Sequence, residues 1–417
     1  MHEMKDSGIE WIGEIPVGWE TIRFKYLHNG LNTGEAIDKN YWLSDGNGYT
    51  FYTAGLVPIK TNYEDFPLWK YTKPNDLLLA RNGTPYVYFP VLEACYTDHI
   101  IRATIKDGVN RKYVQLSLQQ SISNVIVDSV SIPTWSASLW NKQIIPFPPL
   151  EEQHRISTYL DTKCKKIDSI IARQQEVIEK LKAYKLSVIT EAVTKGLHPD
   201  VRMKESEIRF VDSFPEQWEN RKMLSILSMR VVDGPHESPE LIDEGIPYIS
   251  ATAIENGKIN FELMRGYISE EYCNLCDLRY KPQKNDILVI KLGASTGQVA
   301  MVETDERFNI WVPLAAVRCN EQAVPRFVYY AFQSDYFIKQ MELSWTFGTQ
   351  QTLGVKTIER LRIIVPNVDE QQQIADYLDK KCSAIDSAIA KKQAIIEKLT
   401  AYKKSLIYEV VTGKREV

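Results

Sequence analysis

The sequence predicts an α/β (α+β) protein built from two mixed α/β blocks, each followed by a long helix. The two helices are expected to pair as an intramolecular antiparallel coiled coil about an internal two-fold. Three observations carry this: a segment that occurs twice, a seven-residue apolar period inside it, and short apolar strands closed by glycine turns in the blocks between.

The repeat comes first because it divides the chain. When residues 148–196 are laid over 366–414, 27 of the 49 positions are identical, among them Tyr159-Leu160-Asp161 with Tyr377-Leu378-Asp379 and Glu179-Lys180-Leu181 with Glu397-Lys398-Leu399. A shorter echo pairs Pro16, Trp19 and Glu20 with Pro215, Trp218 and Glu219 at a smaller offset, so the stretch between the echoes has changed length. The expected organisation is block 1–147, helix 148–197, block 198–364 and helix 365–417.

The repeated segment reads as helix on physical grounds. Leu160, Ile167, Gln174, Leu181 and Val188 fall seven apart, and Ile170, Val177 and Tyr184 fill the positions three later. The second copy supplies Leu378, Ile385, Lys392, Leu399 and Leu406 with Ala388, Ile395 and Tyr402, while Ile171, Ile178, Ile389 and Ile396 widen the stripe. Pro148-Pro149 with Glu151-Glu152 marks a start, and Gly196 followed by Pro199 marks a stop. About 45 residues at 1.5 Å each give a rod of roughly 67 Å. Such an apolar stripe needs a partner, and the other copy in the same chain is at the highest effective concentration. The intervening block leaves either orientation open; antiparallel packing gives the two-fold and brings the polar seam residues Gln174 and Lys392 near each other.

The blocks read as mixed α/β with short strands. Residues 75–84 and 285–297 are corresponding pieces: an Asn-Asp turn, an apolar strand, then a glycine loop carrying a basic residue and hydroxyls. Either these glycines only turn the chain, or they let Arg81, Asn82, Thr84, Lys291, Ser295 and Thr296 approach an anionic surface. Trp135, Trp140, Trp311 and Trp345 could stack on bases, although core packing is the commoner use of tryptophan.

Several features taken together identify a resemblance. They are the order block, helix, block, helix; Pro-Pro-Leu-Glu-Glu-Gln before Ile156 and Pro366-Asn-Val-Asp-Glu-Gln before Ile374; Leu-Lys-Ala-Tyr-Lys in the first helix; and Asp233-Gly234-Pro235-His236 with Gly245-Ile246-Pro247 opening the second block. The chain resembles the specificity subunit of type I restriction–modification systems over nearly its whole length. The resemblance implies that the blocks are target recognition domains, each reading one half of a split, asymmetric site in double-stranded DNA. It also implies that the helices are spacers holding two methyltransferase subunits, that motor/endonuclease subunits join them, and that the chain itself is not catalytic. His236 enters the DNA-binding set on this basis. The first block departs from the pattern, lacking the Asp-Gly-x-His opening and showing Gly83-Thr84-Pro85 where the second has Gly-Ala-Ser-Thr-Gly.

Composition limits the alternatives. A chain of 417 residues, 44% hydrophobic and 25% charged, is an ordinary folded protein of two or more domains. No run approaches the roughly 18 apolar residues of a membrane span, the start Met1-His2-Glu3-Met4-Lys5-Asp6 is polar, and six cysteines are too sparse for a disulfide scaffold, so no membrane partner and a cytoplasmic location are expected. The charge resists the DNA reading: residues 1–150 hold 13 basic against 15 acidic side chains and residues 196–365 hold 19 against 24, where a lone DNA binder is usually basic. A basic face inside an acidic total, with partner subunits supplying further phosphate contacts, reconciles the two.

Rival chemistry is weak. Gly293-Ala294-Ser295-Thr296-Gly297 has the spacing of a nucleophile elbow, but Gln298–Val302 is strand-like where a helix is needed, and no histidine follows His236. Cys273 and Cys276 have zinc spacing without a second pair, and Cys164 and Cys382 share one helical position, which argues for a small buried side chain. No Walker loop and no Asn-Pro-Pro-aromatic stretch occurs, so no cofactor is expected. A non-catalytic coiled-coil scaffold binding protein partners only is the alternative function.

Overall fold

Both long helices begin where proline ends and carboxylates gather. In the computed structural model, which describes residues 3–43, 46–122, 134–347 and 350–417, they run Leu150–Lys195 and Val368–Val411. Each first turn is fastened in the same way. Gln153 donates to the Pro148 carbonyl at 2.8 Å and accepts from Asn110 N–H at 3.0 Å; Gln371 donates to the Pro366 carbonyl at 2.9 Å and accepts from Val324 N–H at 2.7 Å. Glu152 and Glu370 each accept the indole N–H of a fully buried tryptophan, Trp19 and Trp218, at 3.1 Å. The helices stop at Gly196 and Gly413, whose φ angles of 78° and 73° close the last turn in the left-handed conformation that favours glycine.

The chain divides into two compact units, Met1–Gln174 with Ala394–Val417, and Gln175–Gln393, so each unit receives part of both helices. In the first unit, Ile156, Leu160 and Ile167 share one apolar cluster with Leu399, Leu406, Val410 and Val411, together with Ile12, Ile15 and Trp19 from the N-terminal segment. In the second, Val188, Ile189, Ala192 and Val193 share a core with Ile374, Ala375, Leu378 and Cys382. The start of one helix therefore packs on the end of the other in each unit, the antiparallel pairing that the repeat predicts.

The exposed side of the helices corrects the expected seam. Leu160, Ile167, Leu378 and Ile385 are buried and Gln174, Leu181, Lys392 and Leu399 partly so, but of the row three later Ile170, Tyr184, Ile395 and Tyr402 are 40–53% exposed, with Val177 and Ala388 partly buried. The second inner row lies four residues on instead of three, at Cys164, Ile171, Ile178 and Lys185 and at Cys382, Ile389, Ile396 and Lys403. Adjacent rows were both apolar in sequence, and packing against the facing helix selects the inner one.

The block of the first unit holds two four-stranded sheets. One is antiparallel, in the order His28–Thr33, Ile100–Ile105, Asp76–Ala80, Val87–Tyr88. The other runs Cys95–Tyr96, Tyr49–Tyr52, Ile59–Thr61, Trp42–Leu43. The strand Asp76–Ala80 is buried on both faces, with Leu77 and Leu79 in one cluster and Leu78 and Ala80 in another, which is why it reads as an unbroken apolar run. The second unit repeats the antiparallel sheet as Val232–Asp233, Leu314–Val317, Ile287–Ile290, Val299–Met301, and its central strand again divides its side chains between two clusters. Beside it lies a three-stranded sheet, Gly266–Ile268, Ile246–Ile249, Asn309–Ile310. No helix among the described residues is long and apolar enough to cross a membrane.

Candidate nucleic-acid interface

The glycine loops leave the same end of the same strand in each unit, and the residue that opens each loop makes the same two backbone bonds. Arg81 N–H donates to the His99 carbonyl at 2.8 Å, and Lys291 N–H donates to the Pro313 carbonyl at 2.8 Å. The carbonyls of Arg81 and Lys291 accept from Trp135 and Leu353 N–H at 2.6 and 2.8 Å. Gly83 and Gly293, at φ 82° and 98°, supply the left-handed turn that follows.

A second pair of equivalent positions follows the edge strand two places away in the sheet. Gly34 N–H bonds the Ile100 carbonyl and Gly234 N–H the Leu314 carbonyl, both at 3.2 Å. A Cβ on Gly34 would stand 2.0 Å from the Tyr96 oxygen, and one on Gly234 would stand 2.2 Å from the Ile310 oxygen. Close backbone approach thus requires glycine at both, and the residues before them, Thr33 and Asp233, occupy the same place in the two units.

On this shared frame the side chains differ. In the first unit Arg81 and Thr84 are exposed, and Asn82 pairs with the His99 ring at 2.7 Å. Nearby, Lys70 is buried and binds both Glu35 and the Gly34 carbonyl. In the second unit Lys291 is only 10% exposed, because its ammonium lies 3.0 Å from a carboxylate oxygen of buried Asp233. The same carboxylate takes His236 Nε2 at 3.1 Å and the guanidinium of Arg279, which ends the helix Glu270–Arg279. Burial works against the charge on Asp233, but the bond from Lys291 and the charges of Lys291 and Arg279 outweigh it and hold its pKa below the usual carboxylate value. His236 and Arg279 keep 67% and 48% of their side chains exposed. Arg265 lies over the Trp311 ring at 3.4 Å, and the Trp311 indole N–H donates to the Glu237 carbonyl at 3.1 Å, so a further cation is held beside this loop.

The structure brings Lys291 and His236 together on Asp233 and keeps Ser295 and Thr296 on the adjoining loop. Thr296 is buried, and its hydroxyl donates to the Gly293 carbonyl at 2.7 Å, which makes it part of the turn. After Ser295 the chain returns as the strand Val299–Met301, without the helix that a nucleophile elbow needs. Trp135 and Trp140 are buried against each other, and Cys273 and Cys276 are buried on the helix Glu270–Arg279. Sequence reasoning missed Arg279 and Arg265. They lie 46 and 32 positions from Asp233 and carry no local signal.

Two separately cored α/β units, each with a basic residue opening a glycine loop and each completed by parts of two shared helices, define a tandemly duplicated protein. The chain belongs to the family of the type I restriction modification DNA specificity domain, which matches residues 16–180 and 215–400. It is 25% identical over 386 residues to the type I restriction enzyme EcoBI specificity subunit of Escherichia coli, an alignment covering 88% of this chain and 77% of that one. Over 422 residues it is 22% identical to the MjaVIII specificity subunit of Methanocaldococcus jannaschii, covering 97% and 94%. A solved chain from work on complex assembly and conformational transition of the type I R-M system has the same fold, with a TM-score of 0.67, 14% identity, and 96% and 99% of the two chains covered.

Proposed function

We propose that this DNA specificity subunit reads a bipartite, asymmetric target, one half with each unit, through the surface around Arg81, Asn82 and Thr84 in the first unit and around His236, Lys291 and Ser295 in the second. One observation supports this above the others: the two units keep one backbone frame but change the chemistry at equivalent positions, from Thr33 and an exposed Arg81 to Asp233 and a buried Lys291. A scaffold binding the same partner twice has reason to keep those side chains alike. Two readers of different half-sites have reason to change them.

In this reading the chain carries no catalytic step. The helices hold two methyltransferase subunits and, through them, the motor/endonuclease subunits, which bring S-adenosylmethionine-dependent methylation and cleavage to the site. The chain works in the cytoplasm, where its DNA is. The net negative charge of each block requires a reader that relies on partner subunits for part of its phosphate contact.

The test is to incubate labelled randomised duplexes with the purified chain, alone and with its methyltransferase subunit, then to sequence what is bound and what is methylated. A split consensus, methylated only when the partner is present, is the expected result. Methyl transfer or cleavage by the single chain would overturn the non-catalytic reading, and binding without any consensus would favour the scaffold.

A further inference from the structure

Asp233 is an unusual place for a carboxylate in a DNA-facing surface. It sits at the end of the edge strand, 6% exposed, with Lys291 and His236 on one oxygen and Arg279 on the other. A negative charge there cancels one of the cations around it, so it weakens any attraction for phosphate. What it supplies is anchorage, because it holds one guanidinium nitrogen of Arg279 in place while nearly half of that side chain faces solvent. Phosphate binding needs charge and tolerates loose geometry; reading a base edge needs two N–H groups held in a plane.

The neighbouring cation is immobilised as well. Arg265 is stacked on Trp311, whose indole is in turn bonded to the backbone of the loop carrying His236. Two arginines are thus held at one surface of the second unit, and in the first unit Thr33 stands at the position of Asp233.

We propose that Arg279 reads a guanine edge in the half-site bound by the second unit, with Asp233 as the positioning residue that anchors its guanidinium. The inference rests on the DNA-reading function above and names the side chain that performs one part of it. One guanidinium nitrogen is committed to Asp233, and the remaining N–H groups of the fork are free to meet the O6 and N7 acceptors of guanine.

The test uses the full chain assembled with its methyltransferase subunit and maps preference at every base pair, with Arg279→Ala, Arg279→Lys, Asp233→Asn and Asp233→Glu. Both Arg279 variants should lose roughly 5- to 150-fold of discrimination at a single G·C pair in one half-site, with the other half-site and the salt slope unchanged. Asp233→Asn should relax that same pair and Asp233→Glu should restore part of it, whereas a merely structural role would weaken the whole half-site. A uniform loss over all sequences, with the salt slope falling by about one and Arg279→Lys behaving as wild type, would make Arg279 a phosphate contact and overturn the proposal. Unchanged preference in Arg279→Ala would overturn it too. If Asp233→Asn does not fold, the half-exposed Arg279 pair of variants still decides. Absence of any consensus with the wild-type complex would mark the failure of the DNA-reading function itself, a different result from relaxed discrimination at one pair.

Discussion

Lys403 binds both carboxylate oxygens of Asp168, at 2.6 and 2.7 Å, and in the other unit Lys185 binds both of Asp386, at 2.8 and 2.7 Å. Asp168 and Asp386 are copies of one position in the repeated helix, as are Lys185 and Lys403. A parallel, in-register pair would have set aspartate against aspartate. The antiparallel pairing turns one repeated sequence into two opposite-charge bridges, which fixes the register that a purely aliphatic seam leaves loose.

Lys403→Glu should therefore destabilise the first unit by more than the pair is worth, since it adds repulsion, and Asp168→Lys with Lys403→Glu should recover most of the loss. Both side chains are partly exposed, so the coupling energy should be about 0.2–1 kcal/mol and should shrink at high salt. A double-mutant cycle measured by denaturant unfolding at two ionic strengths checks this. Zero coupling at low salt would mean the bridge does not contribute to register.

The corrected seam makes a sharper test. Ile178 is 2% exposed and Tyr184 is 53% exposed, although both sit in apolar rows of the same helix. Ile178→Ala should cost about 2–5 kcal/mol, and Tyr184→Ser or Tyr402→Ser within about 0.5 kcal/mol of nothing. Equal losses from the two kinds of substitution would restore the three-residue spacing as the seam.

His28 gives the first unit a pH dependence of definite sign. Gly30 N–H donates to its Nδ1 at 3.1 Å and Nε2 meets Asn141 Oδ1 at 2.8 Å, an arrangement satisfied by the neutral ring with its proton on Nε2. Burial, with Lys106 adding to it and the Asn141 bond opposing, lowers its pKa from 6.5. The unfolded chain therefore takes up the proton first, so the stabilising contribution is complete above about pH 6.5 and is lost as the pH falls below it. Denaturant midpoints between pH 7.5 and 5 should fall more steeply for wild type than for His28→Gln. Parallel slopes would show that the fold does not lower the pKa of the ring.

How much of this was legible in the sequence follows from what each feature depends on. The helices were, because 27 identities and a heptad are properties of the chain itself, and the central strands were, because burial on both faces leaves an uninterrupted apolar run. The inner row was not, since Ile170 and Ile171 are equally apolar and only the facing helix chooses between them. The equivalence of Gly34 and Gly234 was hidden by the change from Asp233 to Thr33, and Arg279 was hidden by its distance along the chain from the carboxylate it meets.

That hidden glycine pair supports the last prediction, which concerns the independence of the two readers. In each unit the glycine is pressed against the backbone of a neighbouring segment, and an added methyl group would lie 2.0–2.2 Å from a carbonyl oxygen that no rotamer change can move. Gly34→Ala and Gly234→Ala should each cost about 1–3 kcal/mol or more by forcing the edge strand away, and should displace the loop that follows. The apolar clusters flanking Gly34 and those flanking Gly234 have no residue in common, so the damage should stay within one unit. Methylated-site sequencing of the assembled complex is the direct readout. Gly34→Ala should degrade one half of the consensus and Gly234→Ala the other, each leaving its counterpart sharp. Loss of both halves from either single substitution, in a chain that still assembles with its partner, would show that the units do not read separately.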